Sequence, residues 1–161
     1  MPELTSPSNS PVLLRLMYAS VSSGPLTHSK LDAVFAQAQR NNARDDITGV
    51  LLADGRLNVH YLEGAEAVVL ALWVRIQTDP RHHSIVLLHQ EPGATKRLFP
   101  QHALLRGQAS RAEMLSLVRS AYQHTEGPVR PAWAHAIAPL IILLDGEFGH
   151  AYAGAARHAA Q

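Results

Sequence analysis

With 161 residues, the chain is long enough for one ordinary domain and a short appendage, and its 47% hydrophobic and 17% charged residues are typical of a globular protein. Its formal net charge is +1 and its basic residues are scattered, so the sequence lacks the basic stripe of a nucleic-acid-binding protein. The absence of cysteine excludes disulfides and cysteine-ligated zinc sites, and we expect a cytoplasmic protein.

The first elements are expected to be a leader, a strand and a helix. Residues 1–11 are polar, rich in Ser and Pro, and have no apolar run of signal-peptide length, so we expect a disordered leader. The apolar run 12–18 is followed by a Ser, Gly and Pro cluster and predicts a buried strand. Apolar residues at helical spacing then predict a first helix from Leu26 to about Asn42.

A β-hairpin and a second helix are expected next. Segments 47–53 and 56–62 are apolar, and the Asp-Gly pair between them supplies the positive backbone angles of a tight turn. The segment after the hairpin begins with Glu63, which we interpret as a turn residue with a solvated charge. Apolar residues at helical spacing predict the second helix over about 65–78.

Two further apolar runs complete the predicted sheet. Residues 85–91 predict another buried strand, which a turn at Pro92-Gly93 would end, and residues 102–105 could pair beside the sheet. The order β-α-β-β-α-β-β is that of an α+β fold of the ferredoxin-like type. Two helices then back one face of an antiparallel-rich sheet, and the other face needs a cover.

The C-terminal part supplies a candidate for that cover. We expect a domain over 12–107 and a helical extension over 108–161, with helical patterns at 112–122 and 133–148. The apolar run within the second pattern is too short and too interrupted by proline to span a bilayer, which needs about 20 apolar residues. We therefore expect the extension to serve as core, oligomer contact or output surface.

Four segments of the sequence resemble the BLUF family of blue-light sensors that use FAD. They are LRLMYAS at 14–20, NN through ITG at 41–49, YLEG at 61–64 and DPRH at 79–82, in the order of the family. The resemblance covers about 12–107. It implies a ferredoxin-like domain that holds FAD, or a related flavin, between its two main helices and that acts as a sensor rather than as an enzyme.

The resemblance also implies roles for individual residues. Tyr18 matches the photoactive tyrosine of the family, and Asn42 matches the side chain that hydrogen-bonds the flavin ring. Val34 matches an apolar contact of the ring. Arg81 and His82 match positions near the far side of the cofactor.

His60 is the main departure from the family pattern, because it occupies the position of the glutamine whose amide is the light switch. An amide carries a donor and an acceptor on one planar group, whereas a neutral imidazole offers one of each on a ring of different reach. We therefore expect an altered or lost photocycle. Asn58, which replaces an aromatic residue, shares the sheet face of His60, and residues 102–104 replace a Trp and a Met.

Other interpretations remain open at this point. The domain could be a flavin-free interaction or scaffold module, in which Asn58 and His60 satisfy each other and backbone groups in a closed pocket. A metal site built from the ten histidines is not favoured, since no helical His pair or nearby carboxylate set is present.

No catalytic motif points to an enzyme, since the sequence has no nucleophile elbow, phosphate loop or dinucleotide fingerprint. We expect a homo-oligomer that signals to a downstream regulatory protein, without binding nucleic acid or membrane.

Overall fold

The structure, a computed structural model, describes residues 11–24, 26–107 and 109–123. Residues 1–10 of the predicted leader and the predicted helix at 133–148 lie outside the described residues. Within the described ranges, no helix is long and apolar enough to cross a membrane.

The described chain forms five strands and three helices. In chain order they are β1 (Leu13–Ser22), α1 (His28–Arg44), β2 (Thr48–Ala53), β3 (Leu57–Ala65), α2 (Glu66–Thr78), β4 (His82–Ala94), β5 (Leu105–Gly107) and α3 (Arg111–Gln123). The strands form one sheet in the order β4-β1-β3-β2-β5. β5 runs parallel to β2, and all other neighbours are antiparallel. The predicted α+β fold of the ferredoxin-like type is confirmed.

β4 is longer than predicted, because it runs through Pro92 and Gly93 instead of ending in a turn there. In the sheet that the described residues form, this strand lies at an edge and pairs with β1 alone, and an edge is where a sheet tolerates proline. Gly93 has a positive φ of 77° at the point where the register with β1 shifts. The predicted turn is therefore a bulge inside the strand.

The last strand lies further along the chain than predicted. The segment 102–105 was expected to pair beside the sheet, but β5 spans Leu105–Gly107. The backbone N–H of His102 donates to the carbonyl of Phe99 in a turn, so this part of the segment is not free to extend. The prediction was wrong by three residues because the turn over 99–102, with Pro100 at its second position, includes the start of this segment.

The two faces of the sheet have separate hydrophobic cores. One core joins β1 and β3 to α2, and its buried residues are Leu14, Leu16, Tyr18, Ile47, Leu62 and Val69. The other includes Met114 and Leu117 of α3, which pack with buried residues of four strands and with Phe99. Alternate residues of each strand thus point to opposite cores, as the pleat requires, and α3 covers part of the second face.

α1 does not form a comparable core with the sheet. Its only buried residue is Asn42, near its C-terminal end. Thr27 caps its N-terminus, since its side-chain oxygen accepts the backbone N–H of Lys30. The apolar face of α1 instead borders a cleft between α1, α2 and the sheet, and that cleft is the candidate site.

Candidate functional site

The cleft has a volume of about 330 Å³, which lies within the range of roughly 300–1,000 Å³ found for small-molecule pockets. Its apolar lining comes from α1, α2, β2 and the segment before α1. These residues are Leu26, Leu31, Val34, Phe35, Ala38, Leu51, Ala53, Leu72 and Ile76. The six residues that the sequence suggested for a cofactor site, Tyr18, Val34, Asn42, His60, Arg81 and His82, all line this one cleft.

Tyr18 and His60 form the centre of the polar wall. They lie opposite each other in the antiparallel pairing of β1 with β3, so both side chains point to the same face of the sheet. The Tyr18 hydroxyl is 2.9 Å from Nδ1 of His60. Only 5% of Tyr18 and 8% of His60 are exposed to solvent, so this hydrogen bond lies in a dry environment.

Burial keeps both members of this pair uncharged near neutral pH. It raises the pKa of Tyr18, an effect to which Asp79 adds and which Arg81 opposes. It lowers the pKa of His60 to about 4, with a smaller contribution from the neighbouring His82. The pair is therefore a phenol hydrogen-bonded to a neutral imidazole.

The second ring nitrogen of His60 is in a different situation from the first. Among the described residues, Nε2 of His60 is buried without a hydrogen bond. Leaving a buried polar group unsatisfied costs roughly 1–3 kcal/mol. Asn58 makes no hydrogen bond with this nitrogen, so the alternative in which Asn58 and His60 satisfy each other is not what the structure shows.

Asn58 belongs instead to a polar network at one end of the cleft. Its amide nitrogen donates to the hydroxyls of Ser22 at 3.1 Å and Ser20 at 3.4 Å. The ring of His82 continues the network, since Nδ1 is 2.8 Å from Ser20 Oγ and Nε2 donates to the carbonyl of Ile76 at 2.8 Å. Both nitrogens of His82 are thus used within the protein.

Asn42 connects α1 to the segment that precedes β5. Its side-chain amide nitrogen donates to the carbonyl of Ala103 at 2.9 Å, and its backbone carbonyl accepts the N–H of Ile47. The contact with Ala103 fixes the side chain, and Asn42 lines the cleft. Asn42 lies within α1, which continues to Arg44 and is capped by Asp45.

Charged residues surround the mouth of the cleft. Arg81 makes a bidentate ion pair with Asp79, with contacts of 2.6 and 3.0 Å, and each partner shifts the pKa of the other toward the charged form. Arg106 of β5 pairs with Asp32 of α1 and lies over the ring of Phe35, 5.6 Å from its centroid. Sequence reasoning missed Arg106, because its approach to α1 depends on the parallel pairing of β5 with β2.

Trp73 is a second residue that sequence reasoning did not connect with the site. Its ring centroid is 5.2 Å from that of Tyr18, at an interplanar angle of 49°. In the sequence, Trp73 is one of the apolar residues at helical spacing that predict the second helix. Its contact with Tyr18 follows from the packing of α2 on β1 and had no separate signal in the sequence.

The interpretation of Glu63 as a turn residue with a solvated charge is wrong. It lies inside β3, is fully buried, and accepts hydrogen bonds from Thr48, Tyr61 and two backbone N–H groups. Those N–H groups belong to Leu98 and Phe99, in the loop before β5.

The described residues contain no group of three or more His, Asp or Glu residues arranged to hold a metal ion.

Residues 13–104 match the family model described as sensors of blue-light using FAD. The chain belongs to the BLUF family. A similar curated protein is the photoactivated adenylate cyclase subunit beta of Euglena gracilis, 38% identical over 88 residues, which is 55% of this chain and 10% of that protein. The chain therefore spans about a tenth of the length of this relative.

Solved BLUF structures are similar to the fold described above. The dark-state structure of the BLUF protein BlrB has a TM-score of 0.60 and 28% identity, covering 86% of this chain and 98% of that one. Klebsiella pneumoniae BlrP1 with FMN and cyclic diGMP has a TM-score of 0.55 and 28% identity, covering 66% of this chain and 29% of that one. The domain is thus a flavin-binding blue-light sensor domain by family.

The residues of the BLUF cleft fit a flavin ring. A flat, apolar heterocycle with polar edges needs apolar side chains along its faces and a few placed polar groups at its rim. α1 and α2 supply the apolar side chains, and the unpartnered Nε2 of His60 needs a hydrogen-bond partner that the described protein does not provide. When bound, a flavin would supply light absorption and one-electron chemistry.

Proposed function

We propose that residues 12–107 bind FAD in the cleft between α1 and α2, and that the protein is a sensor with an altered light response that signals through protein contacts. The observation that carries this proposal is Nε2 of His60, which is buried in a cleft of ligand size and has no hydrogen-bond partner among the described residues. A closed, repurposed pocket would be expected to satisfy such an atom internally.

The proposed roles of the lining residues follow from their positions. Tyr18 and His60 contact the edge of the flavin ring that faces the sheet, and Val34 of α1 contacts its face. Asn42 hydrogen-bonds a polar edge of the ring through its amide. Arg81 and His82 lie at the far side, where Arg81 offers a positive charge at the mouth of the cleft and His82 orients the polar network.

A substitution that fills the cleft tests this proposal. Ala38 of α1 lines the cleft, so Ala38→Trp should block flavin binding. Ala43 lies on the same helix but is exposed and does not line the cleft, so Ala43→Trp is the matched control. The measurements are the visible absorption spectrum after addition of FAD and the change in melting temperature.

The proposal expects the wild-type protein and the Ala43→Trp variant to turn yellow and gain stability. A ligand at 100 times its Kd stabilises the folded state by about 2.7 kcal/mol. The Ala38→Trp variant should gain neither colour nor stability. A wild-type protein that stays colourless and whose melting temperature does not change on addition of FAD would instead indicate a flavin-free interaction or scaffold module.

The output of the sensor is a partner effector. The similarity to a photoactivated adenylate cyclase and to BlrP1 supports signalling to an effector, which here would be a separate regulatory protein in the cytoplasm. Residues 12–107 would have no catalytic activity of their own, and the extension 108–161 would provide the contact with the effector or with a second copy of the chain. Light scattering after gel filtration, with and without blue light, measures the oligomer.

A further inference from the structure

The helix α1 is attached to the domain in a different way from α2 and α3. Residues of α2 and α3 belong to the two hydrophobic cores, but neither core contains a residue of α1, whose whole length the structure describes. The apolar residues of α1 that line the cleft are half-buried, and they are Leu31, Val34, Phe35 and Ala38. Since burial of apolar area fixes most helices in a protein, α1 is the most weakly packed of the three.

The C-terminal half of α1 is held by hydrogen bonds with backbone groups. The amide of Asn42, the buried residue of the helix, donates to the carbonyl of Ala103 at 2.9 Å. The carbonyl of Asn42 accepts the N–H of Ile47 at 2.9 Å, and the amide of Gln39 donates to the carbonyl of Leu104 at 3.4 Å. This half of α1 is therefore its fixed end.

Arg106 of β5 makes the main side-chain contact with the N-terminal half of α1. Its guanidinium pairs with Asp32 and lies over the ring of Phe35, 5.6 Å from the centroid. The hydrogen bond from Arg106 holds the pKa of Asp32 below its usual range. Phe35 and Arg106 both line the cleft, so this contact closes the cleft between α1 and β5.

Two other contacts restrain this half of α1 less directly. Arg81 donates to the side-chain carbonyl of Gln37 at 3.5 Å, which is at the limit of hydrogen-bond distance. The backbone N–H of Leu26 donates to the carbonyl of Gly55 at 3.0 Å, but Leu26 precedes the helix. Half of the Asp32 side chain is exposed, and exposed ion pairs contribute little to stability, so the N-terminal half of α1 can move outward at low cost.

We propose that α1 is a hinged wall of the cleft, fixed at its C-terminal end and closed by the contact of Arg106 with Asp32 and Phe35, and that Arg106 thereby controls how fast a flavin enters and leaves. This inference rests on the proposed function, because the flavin is the molecule that the wall retains. Arg106 is a positioning residue, which acts on the ligand through α1. A bound ring gives the apolar side of α1 a packing partner, so binding also slows the opening.

The opening is measured without flavin, by hydrogen exchange and mass spectrometry of the full chain. Arg106→Gln should make the amides of residues 32–38 exchange about fivefold faster, with those of α2 unchanged. Arg106→Lys keeps the positive charge and should lie between this variant and wild type. Arg111→Gln, which breaks the ion pair of α3 with Asp54 outside the cleft, is the matched control and should leave α1 unchanged. Unchanged exchange of α1 in Arg106→Gln overturns the proposal.

The control of entry and exit is measured with FAD, by stopped-flow association and by dissociation on dilution. The closing contact forms with or without a ligand inside, so Arg106→Gln should speed association and dissociation alike, each about fivefold, and change the Kd by less than about twofold. Faster dissociation with unchanged association would mean that Arg106 binds the flavin directly, which overturns the proposal. A protein that takes up no FAD fails at the proposed function itself, and hydrogen exchange still tests the hinged wall.

Discussion

The carboxylate of Glu63 accepts the backbone N–H of Phe99 at 2.6 Å. It also accepts the N–H of Leu98 at 2.8 Å and the hydroxyl of Tyr61 at 2.9 Å, so one buried side chain of β3 holds the loop that leads into β5. The ring of Phe99 packs edge-on against Tyr61, 5.4 Å between centroids. The strand that carries His60 is thus tied to the segment between β4 and β5 by this carboxylate, by the Phe99–Tyr61 ring contact and by Arg97, whose side chain donates to the backbone carbonyl of Glu63 at 3.4 Å.

Glu63→Gln should destabilise the protein markedly. The amide replaces one acceptor oxygen by an NH₂ group that faces donors, which leaves at least one buried N–H or O–H unsatisfied. The expected loss is roughly 2–3 kcal/mol in the free energy of unfolding, measured by urea denaturation. Glu66→Gln, at the half-buried first turn of α2, is the control and should change stability by less than about 1 kcal/mol. Equal effects of the two substitutions would contradict the role of Glu63.

Gly49→Ala should also be strongly destabilising, because β2 passes very close to β3 at this point. A Cβ at Gly49 would lie 2.0 Å from the carbonyl oxygen of Tyr61, and both groups belong to the backbone of paired strands. The expected cost is about 3 kcal/mol or more. Gly24→Ala, where a Cβ meets nothing within 4 Å, is the matched control. The melting temperatures of both variants would measure the difference, and a normal Gly49→Ala protein would contradict it.

Most of the fold could be predicted from the sequence, because the spacing of apolar residues and the positions of turn residues determine helices, strands and turns locally. The β4 bulge could not, since the Pro-Gly pair at 92 and 93 looks like a turn unless the strand is known to be an edge. β5 was misplaced for a similar reason. Its three residues are defined by a parallel pairing with β2 that joins positions more than 50 residues apart.

Some features of the site could likewise be predicted from the sequence, and others could not. The six lining residues followed from the family resemblance, and the structure brings them to one cleft. The burial of Glu63 and the missing partner of His60 Nε2 did not follow, because both depend on which backbone or side-chain groups arrive from distant segments. The sequence around a charged residue or a histidine does not show which groups from distant segments will contact its side chain.

His60→Gln should restore a lasting light response. Glutamine returns the planar amide that can offer a donor or an acceptor at either end, next to the unchanged Tyr18. With FAD bound, blue light should red-shift the flavin spectrum of this variant reversibly, whereas the wild-type spectrum should recover as soon as the light ends. His89→Gln, on β4 and not among the residues that line the cleft, is the control. A lasting, reversible shift in the wild type would contradict the expectation.

His60 should also make the stability of the protein depend on pH. Burial lowers its pKa from 6.5 to about 4, so between these values the unfolded chain binds a proton that the folded protein does not. The free energy of unfolding should therefore fall as the pH drops from about 6.5 to about 4, by roughly 3 kcal/mol from this residue. Urea denaturation of wild type and His60→Gln across this window measures the contribution of His60 to the free energy of unfolding. The buried His89 contributes equally to both proteins and cancels in the difference. Parallel curves for the two proteins would mean that His60 takes up its proton as readily in the folded state as in the unfolded chain, and that the buried pair with Tyr18 is not neutral.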